Sequence, residues 1–312
     1  MDTFNKEGSD IKELVMEAHD PGQKTDIKTD SLLKLVVKRF MRHKLALGGL
    51  CFVFIIVLTA IFAPFVAPFD PYEMMTDHPF MGEPTSKYLL GTDPLGRDVL
   101  SRLIYASRVS LLIGVGSTAI SVTIGVTFGL ISGYFGGWLD MIFMRMGDIL
   151  MSFPRMLLIM VMVSILSGGG LMTLITVMGF LGWPQVSRLV RGSVLSVKKM
   201  DYVRAGISMG FSSSRIIISH ILPNVAAPII VNATFSIARA MITEASLSFL
   251  GMGVQPPTAS WGNMLNNTQS LTVLLNTPSL WVYPGLMIML TVMSFNFIGD
   301  GLRDALDPNI KE

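Results

Sequence analysis

"DYVRAGISMGFSSSRIIISHILPN", residues 201–224, is a polar stretch in a chain made mostly of lipid-soluble runs. It carries Asp201, Arg204, Arg215 and His220, with glycines at 206 and 210 and a proline at 223. Residues 198–209 predict a short helix with Tyr202, Ala205, Gly206 and Met209 on one side. Gly210-Phe211 breaks it, and Ser212 or Ser213 is placed to cap a second helix through Arg215 and Ile216–Ile218. Pro223 has no N–H to give, so the backbone pattern is expected to stop there, with a long apolar helix directly after it. The expected result is a helix–turn–helix ledge. Its exposed knob is small at Ala205, Gly206 and Gly210, a shape around which a partner groove closes. A loop helix with no docking role has the same spacing.

The surrounding composition sets the class. The chain has 312 residues, of which 51% are apolar and 15% charged. Soluble domains carry about 25% charged residues. Mean hydropathy is +0.56. These values point to a membrane protein. A net charge of +2 gives no footprint for nucleic acid, and Cys51 stands alone inside an apolar run, so no intrachain disulfide is possible. Residues 1–30 are polar and mixed in charge, and are expected to form a loosely ordered tail within an N-terminal segment 1–44.

A spanning helix needs about 20 mostly apolar residues. Six stretches qualify: 45–67, 109–133, 146–167, 171–190, 225–250 and 280–299. The expected fold is therefore an all-α polytopic protein with six transmembrane helices. A first span is followed by an outer loop over 68–108. The other five spans lie within 109–300 and the cytoplasmic loop 191–224 among them, and 301–312 form a C-terminal tail. Basic residues set the orientation. Lys34, Lys38, Arg39, Arg42 and Lys44 precede the first span, and Arg188, Arg191, Lys198, Lys199, Arg204 and Arg215 surround the ledge. Both ends and the ledge are expected in the cytoplasm. In the outer loop, "GTDPLGRDVLSRLIYASR" predicts a short amphipathic interface helix with Asp93 as N-cap and Pro94 at its first position.

Gly125, Gly129 and Gly133 repeat every four residues. That spacing lays a flat stripe along a helix and predicts close helix packing, within the chain or between subunits. Arg239 and Glu244 are charges inside the fifth span. They lie about 140° apart around a helix, at depths of about 21 and 29 Å from Val225, and so are poor partners for each other. Each is a candidate for lining or gating a pathway. The alternative is a structural ion pair with another helix or a partner chain. "GVGSTA" at 114–119 fits a loose dinucleotide pattern but lies inside an uncharged span, where a pyrophosphate finds no exposed turn. No metalloprotease or P-loop motif occurs. No catalytic, metal or cofactor residues are assigned.

The ledge also resembles a known signature. Ala205, Gly210, His220, Leu222 and Pro223 stand at positions of the cytoplasmic "EAA" loop of ABC importer membrane subunits. The match departs at Arg204, where that signature has Glu, at Gly206, where it has Ala, and at His220, where many importers have Ile. "LLGTDPLGRDVLSRLIYASRVSL" (89–111), "GYFGGWLDMIFMRMGDILMSFP" (133–154), "TEASLSFLGMGVQPPTASWGNML" (243–265) and "FNFIGDGLRDALDP" (295–308) are similar to the peptide and nickel branch, in order over residues 40–310. The chain resembles the C-type permease of an oligopeptide or dipeptide importer. That resemblance implies a type I ABC importer fold in a bacterial plasma membrane, with residues 201–224 as the coupling helix. It implies a second homologous permease, two cytosolic ATPase subunits that hold ATP and Mg, and an extracytoplasmic peptide-binding protein. Nickel chelates or another small solute are the alternative cargo.

Overall fold

The computed structural model describes residues 32–166 and 170–307, and the tail expected over 1–30 lies outside them. Regular structure among the described residues is helical. Helix α1 (Leu32–Arg42) leads into α2 (Lys44–Ile61), whose N-cap is His43; its Nδ1 accepts from the Ala46 N–H at 3.1 Å. The segment expected as one span over 45–67 is split. Pro64 starts a separate turn, α3 (Ala63–Val66), after the Phe62 cap. Phe54, Ile55 and Ile61 on α2 face outward, as lipid contact requires.

Helix α4 (Val99–Phe135) joins two expected elements into one. The separate interface helix of the outer loop does not exist, and Asp93 is not its cap. Gly96 sits at φ +73, a backbone that an α-helix cannot contain. The helix therefore starts after it, capped by Asp98, which accepts from the Ser101 N–H at 2.7 Å. Asp93 closes the turn before it, accepting from the N–H groups of Leu95 at 2.8 Å and Arg97 at 3.0 Å. Val99 and Leu103, expected at an interface, are buried in a core shared with Ala106, Trp261, Met264 and Phe295.

The third expected span is broken. Helices α5 (Gly137–Ser152) and α6 (Arg155–Ile165) meet at 92°. Phe153 precedes a proline, which drives it to an extended φ of −94° and ψ of 145°. The fourth is also two helices, α7 (Leu171–Phe180) and α8 (Trp183–Val197), with Pro184 in the first turn of α8. The ledge comes next, as α9 (Asp201–Ser208), α10 (Ser213–Ile216) and a π-turn over Ile217–Ile221. It continues into α11 (Leu222–Phe249). The connection after it folds back as α12 (Trp261–Asn266) and α13 (Leu271–Asn276). Helix α14 (Ser279–Leu306) runs into the stretch expected as a C-terminal tail, and its end meets α1, where Arg39 donates to the Asp307 carbonyl at 3.1 Å.

Among the described residues, four helical segments are long and apolar enough to cross a membrane: α2, α4, Ser213–Phe249 and α14. The bent α5–α6 pair qualifies as a fifth when taken together.

Candidate functional site

The ledge is built from its turn outward. Gly210 has φ +77, which makes it the left-handed residue that ends α9. The Phe211 N–H bonds the Gly206 carbonyl at 3.1 Å and the Gly210 N–H bonds the Ile207 carbonyl at 3.0 Å, the paired bonds of a Schellman motif. Ser212 caps α10, accepting from the Arg215 N–H at 3.4 Å. The Arg215 guanidinium lies 4.2 Å from the centre of the Phe211 ring. The His220 ring stacks on Phe211 at 5.9 Å between centres. Phe211 thus ties both ledge helices to the π-turn. No signal in the sequence beyond its place after Gly210 marked it.

Two expectations about the ledge are corrected. Gly206 is buried beneath Phe211, so it belongs to the inner side and not to the exposed knob. Pro223 does not stop the backbone. Its ring and missing N–H disrupt the bond to the carbonyl four residues back, and the chain widens into a π-turn. The Leu222 N–H bonds the Ile217 carbonyl and the Asn224 side chain donates to the His220 carbonyl at 2.7 Å. Helical backbone is therefore continuous from Ser213 to Phe249.

Inside, Val203, Ile216 and Ile221 are buried with Val186, Val190 and Val194 of α8. Outside, Tyr202, Ile207, Met209 and Ile218 are exposed beside Arg204, Ala205 and Gly210. A half-apolar outer surface on a rigid, inward-anchored ledge is suited to docking.

The glycine stripe lies along α8. A Cβ on Gly125, Gly129 or Gly133 would come within 2.5, 2.6 or 2.7 Å of the Cβ of Val186, Val190 or Val194. The Arg191 guanidinium fastens the same helix to α5, with Nη2 2.7 Å from Asp140 Oδ2. The ledge core packs on α8, and α8 packs along the glycine stripe of α4.

Arg239 and Glu244 part company. Glu244 is 1% exposed and forms no ion pair among the described residues. Its Oε1 accepts from Ser248 and Ser260, each at 2.7 Å. Ser260 caps α12 and Trp261 bonds the Leu103 carbonyl at 3.1 Å, so Glu244 fastens the folded-back connection to the bundle. Arg239 is exposed and donates to Ser236 at 2.8 Å. It belongs to a polar stripe, Asn232, Ser236, Arg239, Thr243 and Ser246, spaced at helical intervals along one side of α11. Ser236 in turn donates to Asn232 at 3.2 Å. The stripe was readable from spacing alone. Arg239 also lines a cleft with Arg155, Thr118, Ser121 and Gln185. Arg155 is the first residue of α6, and the fold brings it to the cleft that Arg239 lines.

Long apolar helices, a packed small-residue seam and an outward ledge define an all-helical, polytopic membrane protein. Residues 125–312 match the family described as "Binding-protein-dependent transport system inner membrane component", and 31–83 match "N-terminal TM domain of oligopeptide transport permease C". A di/tripeptide transport system permease protein of Pseudomonas aeruginosa is 42% identical over 300 residues, 93% of this chain and 97% of its own length. A glutathione transport system permease protein of Pectobacterium atrosepticum is 41% identical over 275 residues, 88% and 90% of the two chains. An oligopeptide transport system permease protein of Bacillus subtilis is 40% identical over 292 residues, 93% and 94%. The chain belongs to this family of inner-membrane permeases of binding-protein-dependent ABC importers. It is a multi-pass permease component rather than a catalyst.

Proposed function

We propose that this chain is one of two homologous permeases in an ATP-driven importer of short peptides. Its identity of 40% or more, over nearly its whole length, to permeases named for di/tripeptides, oligopeptides and glutathione carries the reading. Two cytosolic ATPase subunits bind and hydrolyse ATP with Mg. One of them receives the 201–224 ledge in a groove. An extracytoplasmic binding protein delivers the peptide. The chain crosses the lipid bilayer six times, with the bent α5–α6 pair and the α7–α8 pair as third and fourth crossings and both ends in the cytoplasm. The basic residues around the ledge support that orientation.

Coupling follows from the stiffness of the ledge. ATPase closure displaces α9 and α10, the Phe211 stack carries the displacement into the π-turn, and α11 and α8 move with it. The test is uptake of a labelled tripeptide into proteoliposomes holding the complete importer. ATP-dependent accumulation supports the reading. Accumulation of a nickel chelate with no peptide uptake reassigns the cargo and leaves the architecture intact.

A further inference from the structure

We propose that Arg155 and Arg239 form a binding site for a carboxylate of the transported solute, a site that rests on the peptide-import reading above. The two guanidinium groups come from different helices, α6 and α11, and line one cleft. Neither forms an ion pair among the described residues. The nearer carboxylates along the chain are engaged elsewhere: Glu244 with Ser248 and Ser260, Asp148 with Arg188, and Asp140 with Arg191.

Two like charges facing one cleft in a low-dielectric region are unfavourable until an anion joins them. The cleft walls are ready to bind one. Thr118 is 5% exposed and its Oγ1 is buried without a hydrogen-bond partner. Arg155 Nε is likewise buried and unpartnered. The enclosed volume is about 20 Å³, room for one carboxylate oxygen or a single water rather than a bulky oxyanion. A guanidinium N–H gives that oxygen a charge-assisted hydrogen bond.

A carboxylate has two possible sources, the solute or an acidic side chain of the second permease. The polar stripe on α11 favours the solute. Asn232 and Ser236 lie on one side of Arg239 and Thr243 and Ser246 on the other. Such a track hydrates a moving charge, whereas a fixed pair between subunits needs none.

The experiment uses the complete importer in proteoliposomes and compares trialanine with its C-terminal amide. Any preference of the binding protein is common to all variants and cancels between them. Arg155→Gln and Arg239→Gln should each lower the acid-over-amide uptake ratio about tenfold, as expected for loss of a charge-assisted hydrogen bond. Amide uptake should stay within about twofold of the unaltered protein, and Arg→Lys at either position should restore part of the ratio. An unchanged ratio overturns the proposal, as does equal loss of both substrates. A lower yield of the second permease with an unchanged ratio assigns the pair to a subunit contact and also overturns it.

A second readout does not depend on the cargo. Acetate, against acetamide at equal concentration, should raise the unfolding temperature of the purified complex. It should not do so in the Arg155→Gln/Arg239→Gln double variant. Equal behaviour of the two proteins removes the site. If the unaltered importer moves neither peptide, the peptide reading fails while acetate still decides the anion site.

Discussion

Phe211 lies over Gly206, where a Cβ would meet the ring at 3.4 Å. That contact completes the turn between the two ledge helices, and a methyl fits it at ordinary van der Waals distance. Gly206→Ala should therefore be tolerated. Gly206→Val should push the ring out of its stack with Arg215 and His220, at a cost of about 1–3 kcal/mol to the ledge. Proteolytic nicking between α9 and α10 in the purified complex measures it. Equal resistance in both variants would count against the stack.

The seam between α4 and α8 is tighter. Gly129 faces Val190 Cβ with no room for any side chain. Gly129→Leu should lower the unfolding temperature sharply or abolish membrane accumulation, whereas Gly192→Ala, which meets nothing within 4 Å, should not. Thermal melts in detergent compare them. A melt of Gly129→Leu as high as that of Gly192→Ala would remove the packing role.

What the sequence disclosed follows the range of the forces involved. The apolar runs and the Gly125/Gly129/Gly133 spacing are local periodicities, and they read correctly as helices and a small-residue face. Gly210 was legible because a positive φ is a single-residue property. The breaks were harder. Phe153-Pro154 and Pro184 lie inside runs whose hydropathy continues across them, so composition reads one span where the backbone turns. Asp93 and Asp98 are both good caps, and Gly96 between them decides which is used. Glu244 could not be assigned from its own helix, because Ser260 reaches it from a connection that folds back.

Glu244 gives a prediction in which acceptor and charge separate. Glu244→Gln keeps an oxygen for Ser248 and Ser260, and should leave the connection 251–278 in place. Glu244→Ala leaves both hydroxyls unpartnered and opens a cavity, costing about 2–5 kcal/mol. Single cysteines at Thr258 in a Cys51→Ala background report the difference as faster thiol labelling. Labelling that rises equally in both variants would show that the charge, not the acceptor, matters.

In the loop before α4, the Lys87 ammonium and the Tyr88 hydroxyl hold the Asp77 carboxyl down at about 2, from an ordinary 3.8. Tyr88 donates to Asp77 at 2.6 Å. A lowered carboxylate contributes stability above its unfolded value, and that stability fades as pH falls through the folded one. Hydrogen exchange over residues 77–91 should therefore rise between pH about 4 and about 2, modestly, since the group is exposed. Asp77→Asn should flatten this dependence. An unaltered pH profile in that variant would place the titrating group elsewhere.

The π-turn before Pro223 makes the most specific prediction about coupling. Pro223 withholds an N–H from the carbonyl of Ser219, and the wide turn takes up the extra residue. Pro223→Ala restores that donor. The turn should tighten to an ordinary α-helix, rotating the ledge by about 100° relative to α11, one residue's worth of helical turn. The proposed docking surface is the outer face of α9, so ATPase subunits should still copurify at normal yield. Transport should fall at least tenfold while basal ATP hydrolysis persists, the signature of a lever that is attached but misdirected. Gly210→Val differs in kind. A branched residue at φ +77 is strained. It also adds bulk on the exposed knob, so copurification of the ATPase should fall with transport. Normal transport by Pro223→Ala, with the complex assembled, would show that the π-turn does not set the direction of the lever.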